Sequence, residues 1–154
     1  MAGKKKKSTT RSDTSLESLN LYTFFLDRAS ESIALYNALT AQGAQVEMHR
    51  HHYGDSVDDK VWLPEVASKG WVIISQNQFN ELERLALRNA GGRAFLIVHG
   101  DMKAEQEAAM IIAALPKMLR ILKSNQPPFI ARLYSPKKIL ITSLDFRAHS
   151  KLSR

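Results

Sequence analysis

Leu21-Tyr-Thr-Phe-Phe-Leu-Asp27 is a continuous aromatic and aliphatic run that ends at a carboxylate. A strand covered on both faces reads this way, with no polar alternation, so the run predicts a buried strand of a parallel sheet. Ser30 then opens a segment with Ile33, Leu35, Tyr36 and Leu39 at helical spacing, and Gly43 closes it. A short second strand is expected over Gln45 to His49, followed by a polar loop from His51 to Asp58. Asp59 is placed to cap a short helix carrying Val61, Trp62, Leu63 and Val66, shortened or kinked by Pro64. Trp71-Val-Ile-Ile-Ser75 is a strongly β-branched third strand. Phe79 to Asn89 reads as a helix with Leu82, Leu85 and Ala86 inward, and Arg93 to Val98 as a fourth strand. A long helix from about Ala104 to Lys123 has an apolar stripe through Ala108, Ile111, Ile112, Leu115, Leu119 and Leu122, interrupted by Pro116. Phe129 to Tyr134 and Lys138 to Thr142 complete the chain as an edge pair around the Ser135-Pro136 turn.

Strands alternating with helices at these lengths predict an α/β fold, a three-layer α/β/α sandwich with a largely parallel central sheet. The chain has 154 residues, enough for one domain and one core. It contains no cysteine, which excludes thiol catalysis, thiolate zinc sites and a disulfide framework and fits a reducing compartment. The longest apolar stretches, Leu21 to Leu26, Trp71 to Ile74 and Ala108 to Leu115, are too short to cross a bilayer. The basic start of the chain lacks the apolar run of a secretory signal, so a soluble, cytoplasmic protein with no membrane partner is expected.

The net charge of +7 is unevenly placed. Residues 1–12 carry five basic and no acidic groups, and residues 132–154 carry six basic and one acidic. The stretch between them holds 11 basic and 14 acidic residues, so the basic character belongs to the ends. Residues 1–18 are read as a flexible basic arm, 19–142 as the globular domain and 143–154 as a basic tail. Such ends favour an anionic partner, most plausibly nucleic acid, although a solubilising leader has the same composition.

In an open parallel sheet the site lies just beyond the carboxyl ends of the strands. Asp27, Asn77 and Asp101 fall at or shortly after such ends, and Asp59 lies near the start of the helix between the second and third strands. Oxygen ligands of this kind suit a hard divalent cation, Mg²⁺ or Mn²⁺, which activates water and neutralises charge on a phosphodiester. The same residue types also serve as turn and capping residues at strand ends. Arg28 is placed either to meet a phosphate or to pair with Asp59, while Ser75, Gln76 and Lys69 are lesser contributors, Ser75 as a group that orients bound water. His49, His51 and His52 form a dense patch that is either a zinc or nickel site or simply solvated. Trp62 and Trp71 are read as core residues rather than base-stacking platforms. Gly91-Gly92 lacks the Lys-Ser/Thr of a phosphate-binding loop, and no Gly-x-Ser-x-Gly elbow is present.

Four segments in order, Tyr22-Thr-Phe-Phe-Leu-Asp27-Arg28, Asp59-Lys-Val-Trp62-Leu-Pro-Glu-Val66, Lys69-Gly-Trp71-Val-Ile-Ile-Ser-Gln-Asn77 and Pro127-Pro-Phe-Ile-Ala-Arg132, resemble the PIN-like domain family. The likeness is to the branch that includes the VapC-type toxins of toxin–antitoxin pairs, and it covers about residues 20–134. It implies a small α/β/α domain whose acidic residues bind Mg²⁺ or Mn²⁺ and cleave RNA, held silent by a partner antitoxin. Carried over by position, the first acid is Asp27 and the second Asp59, three residues before Trp62. Where the family ends its third strand with Thr-Lys-Asp, this chain has Ser75-Gln76-Asn77, an amide in place of the carboxylate. An amide oxygen still coordinates a cation, but with one negative charge fewer. Asp101 is the substitute acid if its loop reaches the same crevice, and otherwise a cap for the long helix. Two functions follow: a metal-dependent endoribonuclease using Asp27, Asp59, Asn77 and Asp101 with Arg28, Ser75 and Gln76 toward substrate, or an inactive PIN-like module that binds nucleic acid or a partner protein. A second copy of the chain is a further candidate partner, since small domains commonly form twofold dimers.

Overall fold

The computed structural model describes residues 16–99 and 101–144. Of the expected arm (residues 1–18) and tail (residues 143–154), residues 1–15 and 145–154 lie outside the described residues. Six strands, β1 (Thr23–Leu26), β2 (Gln45–Met48), β3 (Val72–Ser75), β4 (Arg93–Ile97), β5 (Phe129–Leu133) and β6 (Ile139–Ser143), form one sheet in the order β2-β1-β3-β4-β5-β6. All neighbours are parallel except β5 and β6, which pair antiparallel with Ala131 opposite Ile141. Among the described residues, four α-helices flank the sheet: α1 (Ile33–Ala41), α2 (Asp59–Ser68), α3 (Glu81–Asn89) and α4 (Ala104–Ser124).

The alternation of side chains along the central strands divides the core in two. Phe24, Leu26, Val72, Ile74, Phe95 and Ile97 pack under α1 and α4 with Leu35, Leu39, Ile111 and Leu115. Phe25, Ile73, Ala94, Leu96 and Ile130 pack under α2 and α3 with Trp62, Leu63, Val66 and Leu87. Each fully buried Leu, Ile, Val or Phe contributes roughly 1.5–3 kcal/mol of hydrophobic stabilisation. The continuous apolar runs of the sequence are therefore the strands between the two helical layers.

Several details depart from the sequence expectations. Asp58, not Asp59, caps α2, its side chain accepting from the Lys60 N–H at 3.0 Å. Pro64 and Pro116 lie inside continuous helices. Each proline forfeits one backbone bond, and the buried residues beside it, Leu63 and Val66 in one case and Leu115 and Met118 in the other, hold the helix by packing. β5 is an interior strand between β4 and β6, so only β6 of the expected edge pair lies at an edge. Leu82 is 57% exposed, and the inward side of α3 runs instead through Glu83, the expected Ala86 and Leu87, with Ala90 at its C-cap. Those positions are spaced i, i+3, i+4, i+7, and a glutamate at the first of them masks the apolar pattern. At the chain ends, Leu19 is buried and β6 continues through Ser143 to a buried Leu144.

Gly92 sits where α2, α3 and the start of β4 meet. A Cβ there would lie 2.5 Å from the Ala67 Cβ and 2.6 Å from the Leu87 Cδ1. Gly92→Ala is expected to cost about 1–3 kcal/mol by overpacking. Chemical denaturation checks this, with Gly54→Ala, whose added methyl meets nothing within 4 Å, as the neutral comparison.

Candidate active site at the end of the first and third strands

From β1 the chain crosses to β2 on one side and then to β3 on the other, so the crossovers diverge above the carboxyl ends of β1 and β3. Asp27 lies at this point, with its backbone N–H continuing the ladder to the Ile74 carbonyl at 3.3 Å. Its carbonyl accepts from Ser30 and Glu31 N–H groups at 3.0 and 2.8 Å, and its Oδ1 accepts from the Ala29 N–H at 3.0 Å. The tight turn thus pins the Asp27 carboxyl. Ser75, at the end of β3, lies against it and also accepts the Asn77 N–H at 2.9 Å, which turns the chain toward the same place. Because Asp58 takes the cap, the Asp59 carboxylate in the first turn of α2 is free of that role. One helical turn on, the Trp62 indole N–H donates to Asp59 Oδ1 at 2.8 Å. Asp27, Arg28, Ala29, Asp59, Trp62 and Asn77 line one crevice of about 410 Å³.

The crevice is electrostatically loaded. Burial, helped by the nearby Asp59 charge and opposed by the Ser75 hydroxyl and the Ala29 and Ser30 backbone, pushes the Asp27 carboxyl up to about 7. Glu83, which the sequence reading did not single out, stands against Asp59 from α3, outside the residues that line the crevice. Asn80 and Glu83 form a reciprocal capping box on α3, with bonds of 2.8 Å each way. That box aims Glu83 inward against Asp59, where burial and the Asp59 carboxylate raise its pKa. The signals for it were the Asn-x-x-Glu spacing and a polar residue on a buried stripe.

The other candidate residues are distributed as follows. Arg28 is exposed at the crevice and donates to the Asp55 carbonyl rather than pairing with Asp59. Gln76 alternates to the opposite face of the sheet from Ser75, where its Nε2 donates to the Met102 carbonyl at 3.4 Å beside the buried Glu107. Glu107 is likewise pushed up to about 7 by burial. Asp101 lines a different hollow with Val98, His99, Met102 and Gln106, and the cap position of α4 is Lys103. Asp27, Asp59, Asn77 and Arg28 therefore come together, and Gln76 and Asp101 stand apart from them. The histidine patch is not one exposed cluster. His49 is buried between Phe25, Tyr53 and Trp62, burial lowering its pKa, while His52 pairs with Glu47 at 2.6 Å. Trp62 is core, as expected, and the half-buried Trp71 stacks on Phe25 with the Lys69 ammonium 4.6 Å from its ring.

Among the described residues no three His, Asp or Glu side chains are grouped to hold a metal ion. The candidate donor set is instead two carboxylates, Asp27 and Asp59, completed by the Asn77 amide oxygen. These are hard oxygen donors without nitrogen or sulfur, around a carboxyl whose ionisation a nearby cation would favour. That chemistry fits a hydrated Mg²⁺ or Mn²⁺ held by a few protein ligands.

A doubly flanked, mostly parallel sheet with acids converging at its switch point has the architecture of the PIN-like domain, and residues 23–99 match the model of that family. The chain belongs to the PIN-like domain family. Its similarity extends to "Putative ribonuclease VapC45" of Mycobacterium tuberculosis, 31% identical over 123 residues, which covers 75% of this chain and 88% of that one. No solved structure matches the chain significantly. Among the described residues, no helix is long and apolar enough to cross a membrane.

Proposed function

We propose that this chain is a metal-dependent endoribonuclease of the PIN-like type, with Asp27, Asp59 and Asn77 as the residues that hold Mg²⁺ or Mn²⁺. The observation that carries this reading is the convergence of those three side chains with Arg28 on one crevice at the switch point. The similarity to a protein named as a ribonuclease supports RNA as the substrate. A bound divalent cation would supply a more acidic water and charge neutralisation on the phosphodiester. The protein's part is to hold the site. Ser75 and the Ala29 N–H fix the Asp27 carboxyl, which ionises near neutral pH and accepts a proton from an attacking water. Arg28, exposed at the rim, meets a phosphate oxygen of the backbone. Asp101, expected as the substitute acid, and Gln76, expected toward substrate, lie outside this crevice and take no part in the proposed site. The VapC likeness also makes a protein antitoxin the proposed regulator, with a second copy of the chain as another partner and the cytoplasm as the compartment.

The alternative, an inactive module that binds nucleic acid or a partner protein, is favoured by one feature, the amide at position 77. Asn77→Asp separates the two. In a working site the added charge raises Mn²⁺ affinity by about tenfold, or 1.4 kcal/mol, and speeds cleavage of a mixed RNA set, both abolished by a chelator. An unchanged affinity with no cleavage in either protein places the chain among the binding modules.

A further inference from the structure

We propose that Trp62 is a positioning residue, whose indole N–H fixes the Asp59 carboxylate in the orientation the crevice needs to hold a divalent cation. The inference rests on the metal-dependent reading above and adds to it the group that shapes its second acid. Trp62 is 1% exposed, so its indole N–H calls for a partner within the protein. It finds Asp59 Oδ1 at 2.8 Å.

The indole can act as a fixed donor because its ring is itself held. Phe25 packs against it at 5.2 Å between ring centroids, and His49 meets it edge-on at 5.7 Å and 87°. Phe25 belongs to β1 and is completely buried, so the rigidity of the central sheet passes through its ring to Trp62. The local helix geometry completes the arrangement. Asp59 and Trp62 are three residues apart in α2, a spacing that brings their side chains onto one face.

Asp59 also stands beside Asp27 and Glu83, and the Glu83 side chain hydrogen-bonds it from α3. An indole donor on Oδ1 holds the carboxylate in the crevice and leaves Oδ2 unclaimed by the tryptophan.

The test uses the full chain and Mg²⁺ as the probe, read by NMR and calorimetry rather than by cleavage. The chain has two tryptophans, so two indole N–H signals are expected, and Trp71→Phe assigns them. Mg²⁺ should shift the Trp62 signal in step with the amides of Asp27 and Asn77, and Asp59→Asn should move that signal without metal. Trp62→Phe keeps the ring but removes the donor, and should raise the Mg²⁺ dissociation constant by about 10-fold or more. A dissociation constant within about twofold of wild type, in a folded Trp62→Phe protein, overturns the proposal. If that variant does not fold, the wild-type titration decides: crevice amides that move while the Trp62 indole stays still also overturn it. Mg²⁺ that shifts no crevice amide in the wild type is a different failure, which removes the metal reading itself and this role with it.

Discussion

Asp27→Asn is expected to abolish RNA cleavage and at the same time to make the metal-free protein more stable above neutral pH. Both effects come from one buried carboxyl. Asp27 is 3% exposed, and its pKa rises from 3.8 to about 7, chiefly through desolvation. A carboxyl whose folded pKa is raised binds its proton more tightly in the native state than in the unfolded one. Its contribution to stability is complete below about pH 4 and is lost as the pH rises to about 7 and beyond. At 1.36 kcal/mol per pKa unit, the loss across that window is about 4 kcal/mol. Asparagine remains neutral and still offers an oxygen to the Ala29 N–H, so Asp27→Asn should be flat over the same range. Urea denaturation in a chelator at pH 5 and pH 8 checks the difference, and Mg²⁺ should restore part of the wild-type stability at pH 8. Curves that run parallel for the two proteins at both pH values contradict the account. For cleavage, removing a charge that holds the cation costs on the order of 10³-fold or more, since several kcal/mol of charge stabilisation is at stake.

Phe25→Ala is expected to lower global stability by about 3–5 kcal/mol, the usual cost of emptying a buried phenylalanine site. The position is demanding because Phe25 is fully buried under α2 and its ring meets Trp62, Trp71, His49 and Tyr53 at centroid distances of 5.2 to 6.4 Å. Truncation removes the support of all four rings at once. A chain of this length should melt roughly 6–20 °C lower. Phe25→Leu, which keeps more of the volume, should lose less stability and disturb Asp59 less. Thermal denaturation measures the first effect, and Mg²⁺ affinity of the leucine variant measures the second. A loss below about 1 kcal/mol for Phe25→Ala would show that the aromatic cluster is not packed as described.

The sheet was legible because strands buried on both faces leave little room for ambiguity: Phe24-Phe25-Leu26 and Val72-Ile73-Ile74 send alternate side chains into two apolar layers. Helix phase was harder to read. In α3 the inward stripe begins with Glu83, so apolarity pointed to Leu82, which the fold leaves exposed. The same glutamate was missed as a neighbour of Asp59 for the same reason. Asp27, Asp59 and Asn77 could be located because strand ends and the start of α2 are marked by flanking residues. Gln76 could not be placed from proximity alone, since neighbours in an extended chain face opposite sides of the sheet. His49 shows the complementary limit. Local sequence placed it beside an exposed loop, and only the distant rings of Phe25 and Trp62 reveal that it is enclosed. Asp101 depended on the path of its loop, which composition does not encode.

The most direct measurement is cleavage of a mixed set of structured and single-stranded RNAs in Mg²⁺ or Mn²⁺, with wild type beside Asp27→Ala from parallel preparations. The account predicts cuts in the wild-type lanes that disappear both in the variant and in a chelator. Identical backgrounds for the two proteins, with the metal present and both chains folded, would contradict it.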